Sequence, residues 1–391
     1  MTTTDFPTSM TEHFDIFDPD HEDAKYQFFS HARKACPVPH TDAHGGFWVI
    51  TRFEDARTVL QDWQTFSSVE SPPLPSPVSM CPIDSDPPIQ AHARRLLSPY
   101  LSPKFLSRFE PRMRELAGAL IDTWIGKGEV ELMTEFAGPY VAKVLAEVVF
   151  SDLTAEELEE ARRISMRATE ESTPDVWMDL HQMCAKYLDK ARNNPDQPDG
   201  IIKAITTGDF GDRPPTEDEQ LGMLGILFLG GLDTTRSAIG GIAYRVALEP
   251  EVEERLRDPE WVRRDLDEFL RLDSPVGCMA RVATRDTEVN GVQIKAGERV
   301  LVRFDSANRD EEHFDRADEL VLDEIRGGHM AFGLGVHRCL GSNLARLQIG
   351  IAYEELLGRI ENLRLAPASE ISWVPGIGNS LRSLHLNFDK K

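Results

Sequence analysis

The stretch from Thr216 to Leu248 limits most strongly what this chain can fold into. Pro214-Pro215 precede it, Thr216 and Glu219 have the spacing of a capping box, and Pro250 follows its last apolar residue. These signals predict one long helix. At about 1.5 Å per residue it would cross a whole domain. From Leu221 to Leu232 it is apolar nearly all round, which implies burial rather than a place on the surface. Helical patterns also dominate residues 103 to 192 and 216 to 275, whereas strand patterns are confined to Gly46–Thr51, Glu288–Arg303 and Ser383–Phe388. Within Glu288–Arg303, Asn290-Gly291 predicts a hairpin turn and Lys295-Ala296-Gly297-Glu298 a second turn. The expectation is a mainly α fold with a small β lobe.

In the middle of the long helix stand Gly230-Gly231-Leu232-Asp233-Thr234-Thr235. Polar side chains inside a buried helix are costly unless they find partners. Thr234 could bond back to the carbonyl four residues earlier and Asp233 could reach an arginine, or the pair could serve chemistry.

A second feature lies near the C-terminus, Phe332-Gly333-Leu334-Gly335-Val336-His337-Arg338-Cys339-Leu340-Gly341. Its glycines let the backbone take unusual dihedrals and press against a flat ligand. The run after Cys339 has helical spacing, so Cys339 should sit at a helix N-terminus, where a thiolate, the metal-binding form, is stabilised. A buried structural cysteine beside a glycine turn is the plainer reading. Zinc fits less well, because His337 and Cys339 offer two ligands and no second cluster completes the usual four.

This loop resembles the heme-ligand signature of the cytochrome P-450 family, Phe-Gly-x-Gly-x-His-x-Cys-x-Gly, with every fixed position filled. The resemblance implies heme b as cofactor, with Cys339 as the axial thiolate and metal ligand, a donor that pushes electron density toward O–O cleavage. It implies that Phe332, Gly333 and Gly341 shape the cradle and that His337 holds a propionate. Asp86 to Arg95 is similar to the start of the family's propionate-binding helix, with Gln90 in place of the usual histidine and Arg94 making the charge-assisted bond. Arg281 joins this cofactor set. The long helix then corresponds to the family's oxygen-binding groove, in which a kinked helix passes over the heme, Thr234 positions dioxygen and water, and Asp233 feeds protons.

Glu268-Phe269-Leu270-Arg271 matches the family's buried Glu-x-x-Arg, set apart from the other Glu-x-x-Arg spacings by its apolar helix and the Ser274-Pro275 stop. Arg326 is the expected third member of a structural triad behind the heme. Asn308-Arg309-Asp310 follows the family pattern, with Glu311 where a proline is common, a departure expected only to alter a turn. The resemblance places the substrate pocket at Val78, Met80, Leu227, Gly230, Thr234, Val276, Gly277, Met279 and Ile377, and a loop over the substrate in the proline-rich segment Ser71–Pro88.

These landmarks converge on one site, so residues 1–391 are expected to form a single domain. Sixty-six acidic against 43 basic side chains, a formal charge of −23, argue against a nucleic-acid partner. No apolar run reaches the 18 or so residues needed to span a bilayer, and Met1 to Asp5 carries no leader signal. Cytoplasmic placement without a membrane anchor is expected, and five scattered cysteines argue against a disulfide framework. Against the acidic background, Arg94, Arg95, Lys104, Arg108, Arg112 and Arg114 form a basic run. It is either a solvated helix face or a dock for an acidic ferredoxin, which in the family is served by an NAD(P)H-dependent flavin reductase. The implied activity is hydroxylation or O-dealkylation of a small, mainly apolar terpenoid or aromatic with O2. A peroxide-driven enzyme and a non-catalytic heme sensor are the alternatives, and neither needs Asp233 and Thr234 as a proton relay.

Overall fold

The computed structural model describes residues 13–69, 78–150, 153–171, 173–367 and 369–391. Of the proline-rich segment expected over the substrate, residues 71–77 therefore lie outside the described residues. The fold is mainly helical with small sheets, and its centre is the unbroken helix Glu217–Leu248. Its capping box forms as the spacing predicts: Glu219 N–H donates to Thr216 Oγ1 at 3.3 Å and Thr216 N–H donates to Glu219 Oε2 at 2.7 Å. Helices Gly138–Val148, Ala155–Glu170, Pro174–Arg192 and Ser342–Arg359 pack around it. One apolar cluster built on this helix takes in residues from Met80 to Phe388.

The β lobe is a five-stranded sheet in the order His40–Thr41, Phe47–Ile50, Arg299–Arg303, Cys278–Ala283, Phe66–Ser67. Its inner strands are covered on both faces. Val300 and Val302 face one cluster with Phe53 and Leu60, while Leu301 faces another with Phe28 and Phe29, as period-2 alternation requires. The hairpin Thr287–Val289 and Val292–Ile294 turns at Asn290 and Gly291, with φ of 49° and 79°. Positive φ at both central residues is what an Asn-Gly turn supplies. Gly297, φ 86°, closes the second predicted turn, with Glu298 N–H donating to Lys295 C=O at 3.0 Å.

Two features were not foreseen. Glu129–Glu131 is a strand inside the span read as helical, and it pairs with His385–Lys390, which also pairs with Ile360–Leu365. Glu311, where a turn proline was expected, accepts from Arg33 Nε at 2.9 Å and pairs with Lys34 at 3.1 Å, tying the turn to helix Pro19–Ala35.

Candidate active site

The cysteine loop is shaped by two residues of positive φ, Gly333 at 67° and Gly335 at 68°. Gly335 also has no room for a side chain, since a Cβ there would lie 2.3 Å from the carbonyl oxygen of Leu60. The loop closes on itself where Cys339 N–H donates to Phe332 C=O at 2.7 Å and Gly333 N–H donates to Met330 C=O at 2.8 Å. Cys339 precedes helix Ser342–Arg359, whose N-cap is Gly341. Burial raises the thiol above its ordinary value, opposed by a hydrogen bond from the Gly341 backbone and by the cations of Arg94, Arg338 and Arg346. Helix placement alone does not yield a free thiolate here. Cys339 is enclosed on most sides yet keeps an accessible face, and a bound metal cation would supply the missing compensation for the charged form.

Beside the cysteine lies a set of cationic groups. Gln90 Nε2 donates to Val336 C=O, and Arg94 Nη2 donates to Arg338 C=O at 2.8 Å. Arg281 shares its strand face with Met279, and burial pushes its guanidinium down to about 10. Among the described residues its one side-chain hydrogen bond goes to Ala280 C=O at 2.6 Å. Burial, followed by the charges of Arg281 and Arg94, pushes His337 down to about 3, so its imidazole is neutral. His337 Nε2 is buried without a hydrogen-bond partner among the described residues. Among the described residues neither Arg94 nor Arg281 forms an ion pair. Two guanidiniums and an unpartnered imidazole nitrogen in one place fit a ligand that brings its own carboxylates, as heme propionates would.

The central helix has an open patch at the expected position. Gly230 is exposed and Thr234 half-buried while Phe228, Leu229, Leu232 and Asp233 are buried, and a Cβ at Gly230 would meet nothing within 4 Å. A flat group can therefore approach the helix there. Both plain contacts foreseen from sequence are present: Thr234 Oγ1 donates to Gly230 C=O at 2.9 Å, and Asp233 Oδ1 accepts from Arg236 Nε at 3.1 Å. Arg236 is fixed in turn by Ser380 Oγ at 3.1 Å. Because the Thr234 hydroxyl proton is committed to a carbonyl, its oxygen lone pairs remain to accept from a protonated group.

Of the expected pocket residues, Val78, Leu227, Val276, Met279 and Ile377 are half-buried. Val276 bridges to Gly378, and Gly277 N–H donates to Ile377 C=O at 2.8 Å. Met80 is buried, with its Sδ 3.4 Å from the Cβ position of Gly225.

Glu268 and Arg271 are an ion pair at 2.7 Å with both side chains 1% exposed. The similarly spaced pair Glu54/Arg57 is 58% and 51% exposed. Arg326 does not join them: its Nε donates to Glu324 at 2.9 Å. Glu268 is already saturated by Arg271 Nε and Nη2 and by the Val321 N–H. The third contribution comes from backbone, since Arg271 also donates to the carbonyls of Asn308, Ala317 and Glu319 at 2.6, 2.7 and 2.9 Å. Asn308 extends this brace to the cysteine loop, accepting from Met330 N–H at 2.8 Å. Its side-chain role was not visible in sequence, where only its place in a familiar tripeptide stood out. Asp267 was also missed; it joins Arg346 at 2.7 Å and His329 at 3.5 Å behind the loop.

The basic run is mostly engaged. Arg112 pairs with Glu115 and Glu147, and Arg114 with Glu110, Glu354 and Glu355. Arg95 donates to Phe210 C=O. Lys104 and Arg108 form no ion pair among the described residues, and Arg108 lies over the rings of Phe105 and Phe109.

The Cytochrome P450 family model matches residues 261–367. Putative cytochrome P450 126 of Mycobacterium tuberculosis is 31% identical, over 85% of this chain and 86% of that protein. Nocardicin C N-oxygenase of Nocardia uniformis subsp. tsuyamanensis is 32% identical, over 84% of this chain and 86% of that enzyme. The solved structure of a mutant of P450 EryK in complex with erythromycin B superposes with a TM-score of 0.86 at 27% identity, covering 94% of this chain and 97% of that one. No helix among the described residues is long and apolar enough to cross a membrane. The signature loop, the buried Glu268–Arg271 brace, the open patch on the central helix and these likenesses agree: the chain belongs to the cytochrome P450 family and is a heme-dependent monooxygenase.

Proposed function

We propose that this enzyme hydroxylates or O-dealkylates a small, mainly apolar organic molecule, a terpenoid or an aromatic, in the cytoplasm. What carries the substrate class is the character of the partly exposed interior residues: Val78, Leu227, Val276, Met279 and Ile377 are all apolar, and Thr234 is the polar exception. A pocket of that composition favours an apolar ligand fixed by few polar groups. The heme supplies oxygen activation. Cys339 would supply the thiolate that holds it; Arg94, Arg281 and His337 would hold its carboxylates, with Phe332, Gly333 and Gly341 shaping the loop against it. Thr234 accepts a hydrogen bond at the open patch. Asp233, held by Arg236, is the carboxyl group through which a proton reaches the site.

Electrons come from a ferredoxin and its NAD(P)H-dependent reductase. Lys104 and Arg108, which like Arg94 and Arg95 form no ion pair among the described residues, favour an acidic partner by complementary charge.

Thr234→Ala tests the relay. The variant is expected to bind substrate and consume NAD(P)H, while most of the electrons leave as hydrogen peroxide. Asp233→Asn is expected to slow turnover. Wild-type coupling and rate in both would remove the relay and favour a peroxide-driven or non-catalytic heme protein.

A further inference from the structure

The wall formed by Val276-Gly277 and Ile377-Gly378 is braced from behind by a buried polar cluster that no catalytic step uses. Lys25, from helix Pro19–Ala35, is 3% exposed. Its Nζ donates to Asn379 Oδ1 at 2.6 Å and to Glu22. Burial works against the charged lysine, but Tyr26, Glu22 and Asp305 outweigh it, so Lys25 stays protonated. Asn379 uses every remaining polar atom of its amide. Its Nδ2 donates to Asp273 C=O at 3.1 Å and to Ser274 C=O at 2.8 Å, and its backbone N–H donates to Pro275 C=O at 3.1 Å. One asparagine thus joins the segment after Ile377 to the segment before Val276, and Lys25 holds that asparagine in place.

Little slack separates wall from cluster. A Cβ at Gly277 would lie 3.1 Å from Asp305 Oδ2 and 3.3 Å from Asn379 Oδ1. Asp305 is itself fixed by Arg303, whose Nε donates to it at 3.0 Å. A side chain at Gly277 would press on Asp305 and Asn379, and the Gly277 backbone is held by its N–H to Ile377 C=O at 2.8 Å and by the N–H groups of Phe304 and Asp305 donating to its C=O at 2.8 and 3.3 Å. The same segment carries Ser380, the partner of Arg236, so the brace also reaches the Asp233 side.

We propose that Lys25 is a positioning residue for substrate: through Asn379 it fixes the wall at Val276-Gly277 and Ile377-Gly378 and so sets how tightly that wall closes on a ligand. The inference deepens the pocket assignment above and rests on it. Its chemistry is a charge-assisted hydrogen bond in a water-poor site, which keeps its geometry better than a neutral contact does.

Two nitrogen ligands of the heme iron separate wall contact from iron binding. Both ligands would bind through one ring nitrogen, and 4-phenylimidazole adds a phenyl ring that a pocket wall can contact and imidazole lacks. Each is titrated into the heme-loaded protein and followed by the shift of the Soret band. In Lys25→Met, affinity for 4-phenylimidazole is expected to fall about tenfold, the size of one lost charge-assisted hydrogen bond, with imidazole affinity unchanged. Lys25→Arg, which keeps the charge and a donor, should recover part of the loss. Should Lys25→Met fail to load heme, Lys25→Gln keeps a donor without the charge and is expected to show the same selective loss, reduced in size. Equal loss for both ligands, or none for either, overturns the positioning role. Failure of the wild-type protein to give a Soret band on loading with heme would instead overturn the heme site itself, and this proposal with it.

Discussion

Replacing Glu268 by alanine removes one partner of the most completely buried ion pair in the site. Arg271 would keep its three carbonyl acceptors, Asn308, Ala317 and Glu319, but not the carboxylate that balances its charge. Val321 N–H would lose its acceptor too. Breaking a buried pair from one side costs about 3–5 kcal/mol. At about 2.1 cal/mol/K per residue, 391 residues have an unfolding entropy of roughly 0.8 kcal/mol/K, so this loss lowers Tm by about 4–6 °C. The effect should extend to the cysteine loop, because Arg271 holds Asn308 and Asn308 holds Met330. The assay is thermal unfolding together with the ratio of Soret to protein absorbance, with Arg326→Ala as the contrast. Glu268→Ala should melt lower and load less heme, and Arg326→Ala should do neither. A Glu268→Ala protein with wild-type melting and full heme content would show that the charge balance of Arg271 is immaterial.

Gly335→Ala should be worse than its size suggests, because the new Cβ meets the Leu60 carbonyl at 2.3 Å in a backbone of φ 68°. Strain of roughly 1–3 kcal/mol and a displaced cysteine loop should appear as reduced heme content, and normal loading would refute the close approach. Glu219 is held below the usual carboxylate range chiefly by its hydrogen bond from Arg213, against opposing burial, with help from the Thr216 N–H. A carboxyl whose folded pKa is depressed stabilises the fold above its unfolded value, near pH 4.3, and loses that contribution as pH falls through the folded value. The stability gap between wild type and Glu219→Gln should therefore close as denaturation is repeated from pH 6 toward pH 3, and a gap independent of pH would exclude the linkage.

What was legible in the sequence was local or carried by contiguous motifs. The capping box at Thr216 and Glu219, the Asn290-Gly291 turn and the cysteine loop each depend on residues a few positions apart, and each forms. The strand Glu129–Glu131 was missed because three residues carry no periodicity, and its partners lie in the last third of the chain. Arg326 was assigned to Glu268 on residue type and order. The structure instead satisfies Arg271 with main-chain carbonyls, which every residue possesses and no sequence pattern marks. That Arg112 and Arg114 of the basic run are paired was hidden from the sequence because Glu147, Glu354 and Glu355 come from other helices. Lys25 and Asn379 are 354 positions apart, and neither belongs to a motif.

The proposed site depends most on Cys339, which would supply the thiolate ligand to a heme lying against its loop and the open patch of the central helix. The direct measurement is the absorption spectrum of the reduced protein under carbon monoxide, for wild type and Cys339→Ser. The wild type should give the strongly red-shifted Soret band that only a thiolate donor trans to carbon monoxide produces, and Cys339→Ser should lose it while His337, Arg94 and Arg281 remain available to the heme carboxylates. Persistence of that band in Cys339→Ser, or its absence from heme-loaded wild type, would contradict the account.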